Sequence, residues 1–274
     1  MNDADSEWQE ITNKQKNTAK YRTSAEFFSS QIIVDKMMQN LKNGGMARVN
    51  DQLTAMEIPS GASVLDIGAG PGTLAVPLAK NGCRVTVVEP SKPMKQAMDE
   101  YRKFLQVDAD IGVIPAVWED VEAENLDKYD YVISSFALSV PNLKEALGKM
   151  DRTAAKEVHI FWFVNDTTWD VTYSSLWESL HGEKYWPKPK ADVVWHCLYQ
   201  MGIYADIAVY PMKDERGYPD LASAVNDYAD RMDAHEEWQK GIITGYLDSI
   251  LVKRENGSLA FPDEGKYAHI SWRV

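Results

Sequence analysis

Cysteine is almost absent: the chain of 274 residues has two, Cys83 and Cys197, far apart and outside any paired spacing. Two such residues cannot build a zinc site by themselves and supply no disulfide framework. Both read as small, buried apolar side chains. Basic residues are in deficit, 29 against 41 acidic, which leaves a formal charge of −12 and a pI near 4.9. A surface of that sign repels phosphate backbones and anionic headgroups, so neither nucleic acid nor a membrane is an expected partner. Long apolar runs are missing as well. Runs such as "IFWFV" at 160–164 fall far short of a membrane span, and the opening "MNDADSEWQE" is acidic where a secretory signal is basic and then apolar. The cytoplasm is the expected setting. No repeat or low-complexity tract occurs.

What is present is a chain 45% hydrophobic, enough for a packed core. Between about 61 and 164 short β-rich runs alternate with helical ones. "SVLDIGAG" (63–70), "RVTVVEP" (84–90), "IGVIPAVW" (111–118), "YDYVIS" (129–134) and "EVHIFWFV" (157–164) read as strands. "TLAVPLAKNG" (73–82) and "LKEALGKM" (143–150) read as helices, and Ser91 caps another whose Met94, Met98, Tyr101 and Leu105 share a face. Near-continuous apolar strands separated by helices predict a doubly wound α/β layer with a mostly parallel sheet. Residues 1–57 read as a helical lid, with "AEFFSSQIIVDKMMQNL" (25–41) as one amphipathic stretch broken at Asn43-Gly44-Gly45. Residues 58–164 are the ligand-binding core. Residues 165–204 are an aromatic- and proline-rich lid followed by a helix around 193–202. Two late strands at 205–212 and 266–274 enclose a helical insertion at about 213–265. All of this reads as one domain.

"LDIGAGPGT" (65–73) sits at the first strand-to-helix turn, where ligands bind in open parallel sheets. Glycines at 68, 70 and 72 remove side chains that would keep a ligand off the backbone. A dinucleotide site wants G-x-G-x-x-G, whereas here the order is G-x-G-x-G with Thr73 in the sixth position. Asp66 is badly placed for a diphosphate and well placed for a cationic end such as an α-amino group. Glu89, about twenty residues past the glycines, can grip ribose hydroxyls. Ribose plus ammonium without phosphate describes S-adenosylmethionine.

"VLDIGAGPGTLAVPLAKNGCRVTVVEPSKPM" resembles the opening motifs of class I S-adenosylmethionine-dependent methyltransferases over roughly 60–165. The resemblance implies a seven-stranded sheet in the order 3-2-1-4-5-7-6 with its last strand antiparallel. It implies that Asp66, Gly68, Ala69, Gly70 and Gly72 hold the methionine moiety, and that Glu89 with Pro90 meets the ribose. Trp118 and Glu119, in "VWED", stand where the family contacts adenine, although Val117 replaces a frequent acid. Ser134, Ser135 and Phe136 would face the methyl group and the acceptor. S-adenosylhomocysteine would be the product.

"SSFALSV" follows the fourth strand where base-methylating relatives carry an Asp/Asn-Pro-Pro-aromatic motif, which points to a small-molecule acceptor. Asn165-Asp166 matches half of a catechol-type metal site, but Ser134-Ser135 supplies no acid for the other half, so no metal is expected. Acceptor-pocket candidates are Tyr21 and Phe28, then Trp169, Tyr173, Trp177, Tyr185 and Trp186, with lid packing as their other role. His181, in what reads as a loop, is the candidate base. His196 reads as a core or interface histidine, and His159 on the fifth strand is unassigned. Protein methylation and non-catalytic cofactor binding are the rival functions. Oligomeric state is not legible.

Overall fold

Residues in β-rich runs with no polar alternation must be covered on both faces, and the chain folds accordingly. The computed structural model describes residues 3–262 apart from 19, 21, 44–46 and 213–216, together with 265–274. Strands β1 (Ser63–Ile67), β2 (Arg84–Val88), β3 (Gly112–Ile114), β4 (Tyr129–Ser135), β5 (Ala154–Phe163), β6 (Asp206–Met212) and β9 (Gly265–Arg273) form one sheet. A two-residue pair, β7 (Val252–Lys253) with β8 (Leu259–Ala260), stands apart from it. The sheet order is β3-β2-β1-β4-β5-β9-β6. Neighbours from β3 to β5 are parallel, and β9 is antiparallel to both β5 and β6. This is the order that the family resemblance implies, with the seventh strand numbered ninth because β7 and β8 precede it. The order reverses between β1 and β4, which opens a crevice beyond their carboxyl ends.

The helices are α1 (Ala4–Lys16), α2 (Ser24–Phe27), α3 (Gln31–Lys42), α4 (Ala47–Met56), α5 (Ala75–Lys80), α6 (Lys92–Phe104), α7 (Leu143–Thr153), α8 (Thr168–His181), α9 (Ala191–Gln200), α10 (Leu221–Met232) and α11 (Glu237–Ile250). Apolar residues of α1, α7 and α9 share a core with one face of the sheet, and those of α3 to α6 share one with the other. A third apolar cluster joins α8, α10 and α11 with Tyr185 and Tyr218. In α6 the Ser91 hydroxyl accepts the Met94 N–H at 3.3 Å, and Met94, Met98 and Tyr101 are buried as their spacing predicts.

Four elements differ from the sequence reading. The third strand is only three residues long, because Pro115 has no N–H to continue the ladder and 118–120 turn into a short 3-10 segment. The helix expected over 73–82 starts at Ala75 and stops at Lys80. The stretch 25–41 is two helices rather than one. Thr23 and Glu26 close a capping box on α2, and the Ser29 hydroxyl bonds back to the Glu26 carbonyl at 2.7 Å, ending the turn before Gln31. The lid after residue 165 contains the 14-residue α8, so His181 ends a helix instead of lying in a loop. Thr167 and Asp170 form its capping box and Gly182 its left-handed stop.

Trp8 shows how firmly the N-terminal segment is bound. It is fully buried, its indole N–H donates to the Val140 carbonyl at 2.8 Å, and its ring tilts against Trp162 at 5.9 Å. Trp8→Ala is expected to cost about 3–5 kcal/mol, the range for emptying an aromatic core site, as a lowered urea midpoint with unchanged slope. A loss below about 1 kcal/mol would mean α1 is not part of the core.

Candidate active site

The glycine turn is held from two sides. Gly68 N–H donates to the Val88 carbonyl at 2.8 Å, tying the end of β1 to β2. Glu89, at the end of β2, accepts the Gly70 N–H on one oxygen and the Ser91 N–H on the other, both at 2.8 Å. The Ala75 N–H at the start of α5 favours the ionised form of Asp66. The glycines at 68 and 70 serve different ends. A Cβ on Gly68 would lie 2.3 Å from the Ala137 Cβ, so that glycine lets the loop after β4 close against the turn. A Cβ on Gly70 would meet nothing within 4 Å, so the space above that backbone is open.

Both acids are buried, Asp66 at 2% exposure and Glu89 at 7%, and neither has an ion-pair partner among the described residues. Burial first, and the Glu89 charge second, push the Asp66 carboxyl up to about 7, against the pull of the Ala75 N–H. Burial also raises Glu89, opposed by its two backbone hydrogen bonds. The crevice therefore holds two buried carboxyl groups without a counter-ion among the described residues, beside open backbone. That combination suits a cationic ligand and repels a diphosphate.

The remaining predicted residues spread around this centre. Pro90 is exposed beside Glu89. The Ser91 hydroxyl donates to the Phe28 carbonyl at 3.2 Å, which brings the segment after α2 over the start of α6. Trp118 is 4% exposed under α7, with its indole N–H on the Ala146 carbonyl at 3.2 Å. Lys149 of α7 donates to the carbonyls of Trp118 at 2.6 Å and Glu119 at 3.0 Å, which fixes this turn, while the Glu119 side chain is exposed. The Ser134 hydroxyl is buried and unpartnered, next to Ile67 in register. Ser135 accepts from the Gln52 amide at 3.0 Å.

Phe136 holds φ at +56°, a conformation that costs a bulky residue of order 1–3 kcal/mol. Its ring lies 4.8 Å from Phe163 and 5.7 Å from Tyr267, with the Arg48 guanidinium 4.9 Å above it. Trp169 joins edge-on to Phe163 at 5.9 Å. Of the predicted aromatics, then, Phe136 and Trp169 come together, and Phe163, Tyr267 and Arg48 complete the group. Phe163 and Tyr267 could have been found from strand order alone, since the end of β5 and the start of an antiparallel β9 lie at the same edge of the sheet.

Tyr173, Trp177 and Tyr185 belong to the third apolar cluster, with ring separations of 5.3 Å for Tyr173–Tyr185 and 5.5 Å for Trp177–Tyr185. His181 is there too, donating to the Met232 carbonyl at 2.8 Å, so it ties α8 to α10. Trp186 lies between the ammonium groups of Lys14 and Lys184, each 4.5 Å from its ring. Tyr21 lies outside the described residues. Asp166 pairs with Lys190 at 3.0 Å, and Asn165 accepts the Lys266 N–H at 2.7 Å. His196 is half-buried on α9. His159 shares a 2.9 Å hydrogen bond with His269, and burial pulls the pair down to about 3 and about 4, so both are neutral. A depression of about 640 Å³ lined by Gly82, Arg84 and Tyr129 lies at the opposite, amino ends of the strands and has none of this chemistry.

A family model described as a methyltransferase domain matches residues 42–200. The chain belongs to that methyltransferase family. A protein of Haemophilus influenzae described as uncharacterized is 26% identical over 245 residues, covering 87% of this chain and 86% of its own. The YcgJ protein of Bacillus subtilis shares the fold at 13% identity and a TM-score of 0.54, over 82% of this chain and 97% of its own. Coclaurine N-methyltransferase, solved with N-methylheliamine and S-adenosylhomocysteine, shares it at 16% identity and a TM-score of 0.51, over 84% and 72%.

Gly70→Ala should leave the protein folded, losing only the roughly 1–2 kcal/mol of a left-handed alanine, yet abolish S-adenosylhomocysteine binding in calorimetry. Gly68→Ala adds the overlap with Ala137 and should lose about 3 kcal/mol or more in urea unfolding. Equal stability of the two variants would contradict the assignment of open space to Gly70 alone.

Proposed function

We propose that the chain transfers a methyl group from S-adenosylmethionine to a small-molecule acceptor placed against Phe136, Phe163, Trp169 and Tyr267. The observation that carries the cofactor half of this reading is the pair of buried carboxylates without a cation, set beside the open backbone of Gly70. Asp66 then faces the cofactor's ammonium end. Glu89 keeps lone pairs for the ribose hydroxyls while its backbone bonds hold the turn in shape. The turn at Trp118 and Glu119 is the adenine side, with Lys149 holding its backbone.

The cofactor supplies a methyl group already activated on sulfur. The protein's task is to align a nucleophile and keep water away, which asks for walls more than for catalytic side chains. The aromatic group beyond β4 and β5 is such a wall, and the strain at Phe136 is the local cost of aiming its ring there. His181 is committed to Met232 and is not the base in this reading. The acidic surface and the expected cytoplasmic setting agree with a diffusible metabolite.

Two experiments test this. With methyl-labelled cofactor and cell extract, label is expected in the low-molecular-mass fraction; label confined to macromolecules would favour protein methylation, and none at all a binding protein. Asp66, near half-protonated at pH 7 when the site is empty, must ionise to face a cation. Affinity should therefore fall as pH drops from 8 to 6, approaching tenfold per unit below 7, with proton release on binding near neutrality. In calorimetry Asp66→Asn should bind S-adenosylhomocysteine more weakly, by roughly 1.5–3 kcal/mol, and without that pH slope. A wild-type affinity flat across this range would remove Asp66 from the site.

A further inference from the structure

One charged group near the crevice has no role so far. Lys188 lies in "WPKPKAD", in a segment pinned at three points. The Trp186 carbonyl accepts from Gln15 at 2.8 Å, the Pro189 carbonyl accepts from the Trp162 indole at 2.8 Å, and Lys190 bridges to Asp166 at 3.0 Å and Asp170 at 3.2 Å. Lys190 is thus neutralised twice over. Lys188 is not neutralised by any described carboxylate. Its ammonium donates to the Ser24 and Ser139 hydroxyls, each at 3.4 Å, and stands 5.9 Å from the Trp162 ring, near the outer limit of a cation–π contact. The two hydroxyls are 2.8 Å from one another.

Lys188 is half-buried, and a partly shielded ammonium flanked by two hydroxyls and no carboxylate is suited to take up an anion. Burial lowers its pKa from the ordinary lysine value, and the Lys190 charge adds to this while Asp170 opposes it. Its neighbours tie it to the active site. Ser139 lies two residues after Ala137, which abuts Gly68. Ser24 opens the short helix that leads to Phe28, whose carbonyl is held by Ser91 next to Glu89.

We propose that Lys188, Ser24 and Ser139 form a subsite for a carboxylate carried by the methyl acceptor. Three donors from distant parts of the chain converge on one spot, and each hydroxyl can turn from its partner to an incoming oxygen. The proposal rests on the small-molecule reading above and narrows it to acidic acceptors.

The test is carbon-detected NMR of the full-length protein with 13C-labelled lysine, saturated with S-adenosylhomocysteine, with Lys188→Met to assign the signal. Sodium acetate, benzoate and the neutral benzamide are the probes. Acetate and benzoate should move the Lys188 signal saturably and raise its titration midpoint, and benzamide should not. Ser24→Ala with Ser139→Ala should weaken benzoate at least fivefold. A Lys188 signal that ignores both anions, or follows benzamide equally, overturns the subsite; so would a neutral amine at pH 8 that no anion recharges. S-adenosylhomocysteine calorimetry on the same sample separates this outcome from a failed cofactor site. Methyl label confined to macromolecules would sink the small-molecule reading whatever Lys188 does.

Discussion

The hydrogen bond from Gly70 to Glu89 is the constraint on which the active site depends. A carboxylate at the end of β2 reaches across to the backbone of the turn after β1, so two neighbouring strands share one rigid edge. Because the bond uses a charged acceptor inside the protein, it is stronger than a neutral one and costly to lose. It also has an electrostatic side effect. The Glu89 charge, fixed there for structural reasons, makes ionisation of buried Asp66 harder. The crevice stays short of positive charge until a ligand brings some.

The surrounding helices keep this edge in place by different means. On one face Trp8 and Lys149 reach from α1 and α7 to carbonyls in the loops after β4 and β3, respectively. On the other, Gln52 of α4 holds Ser135 at the end of β4. The first turn of α8 adds a polar knot, with Asp170 accepting from Tyr185, Lys190 and Thr167. This knot lies between the aromatic wall and the separate cluster of α8, α10 and α11. Its buried charge is fully answered within the protein, unlike that of Asp66.

The alternation of strands and helices, the glycine turn and the two acids flanking it were legible in the sequence from local pattern and spacing, whereas the strand order was legible only through the resemblance to a known family. What was not legible depends on contacts between distant segments. Trp177 and Tyr185 look the same in sequence as Trp169, and only the packing of α8 on α10 and α11 separates them. His181 reads as a loop residue unless the Thr167 and Asp170 capping box is noticed. The positive φ of Phe136 has no signature in composition. Lys188 differs from Lys190 solely in which acids the fold brings to it.

The position of β9 has a consequence for how the chain acquires its sheet. Among the described residues β6 pairs in the sheet with β9 alone, which is encoded about fifty residues later. During synthesis β6 must therefore wait with an unsatisfied edge, and β5 with another, until residues 265–273 leave the ribosome and insert between them. Tyr267 arrives with that same insertion. A nascent chain could complete its glycine turn and still lack the far wall of the proposed acceptor site, so in that reading the two halves of the site mature at different times.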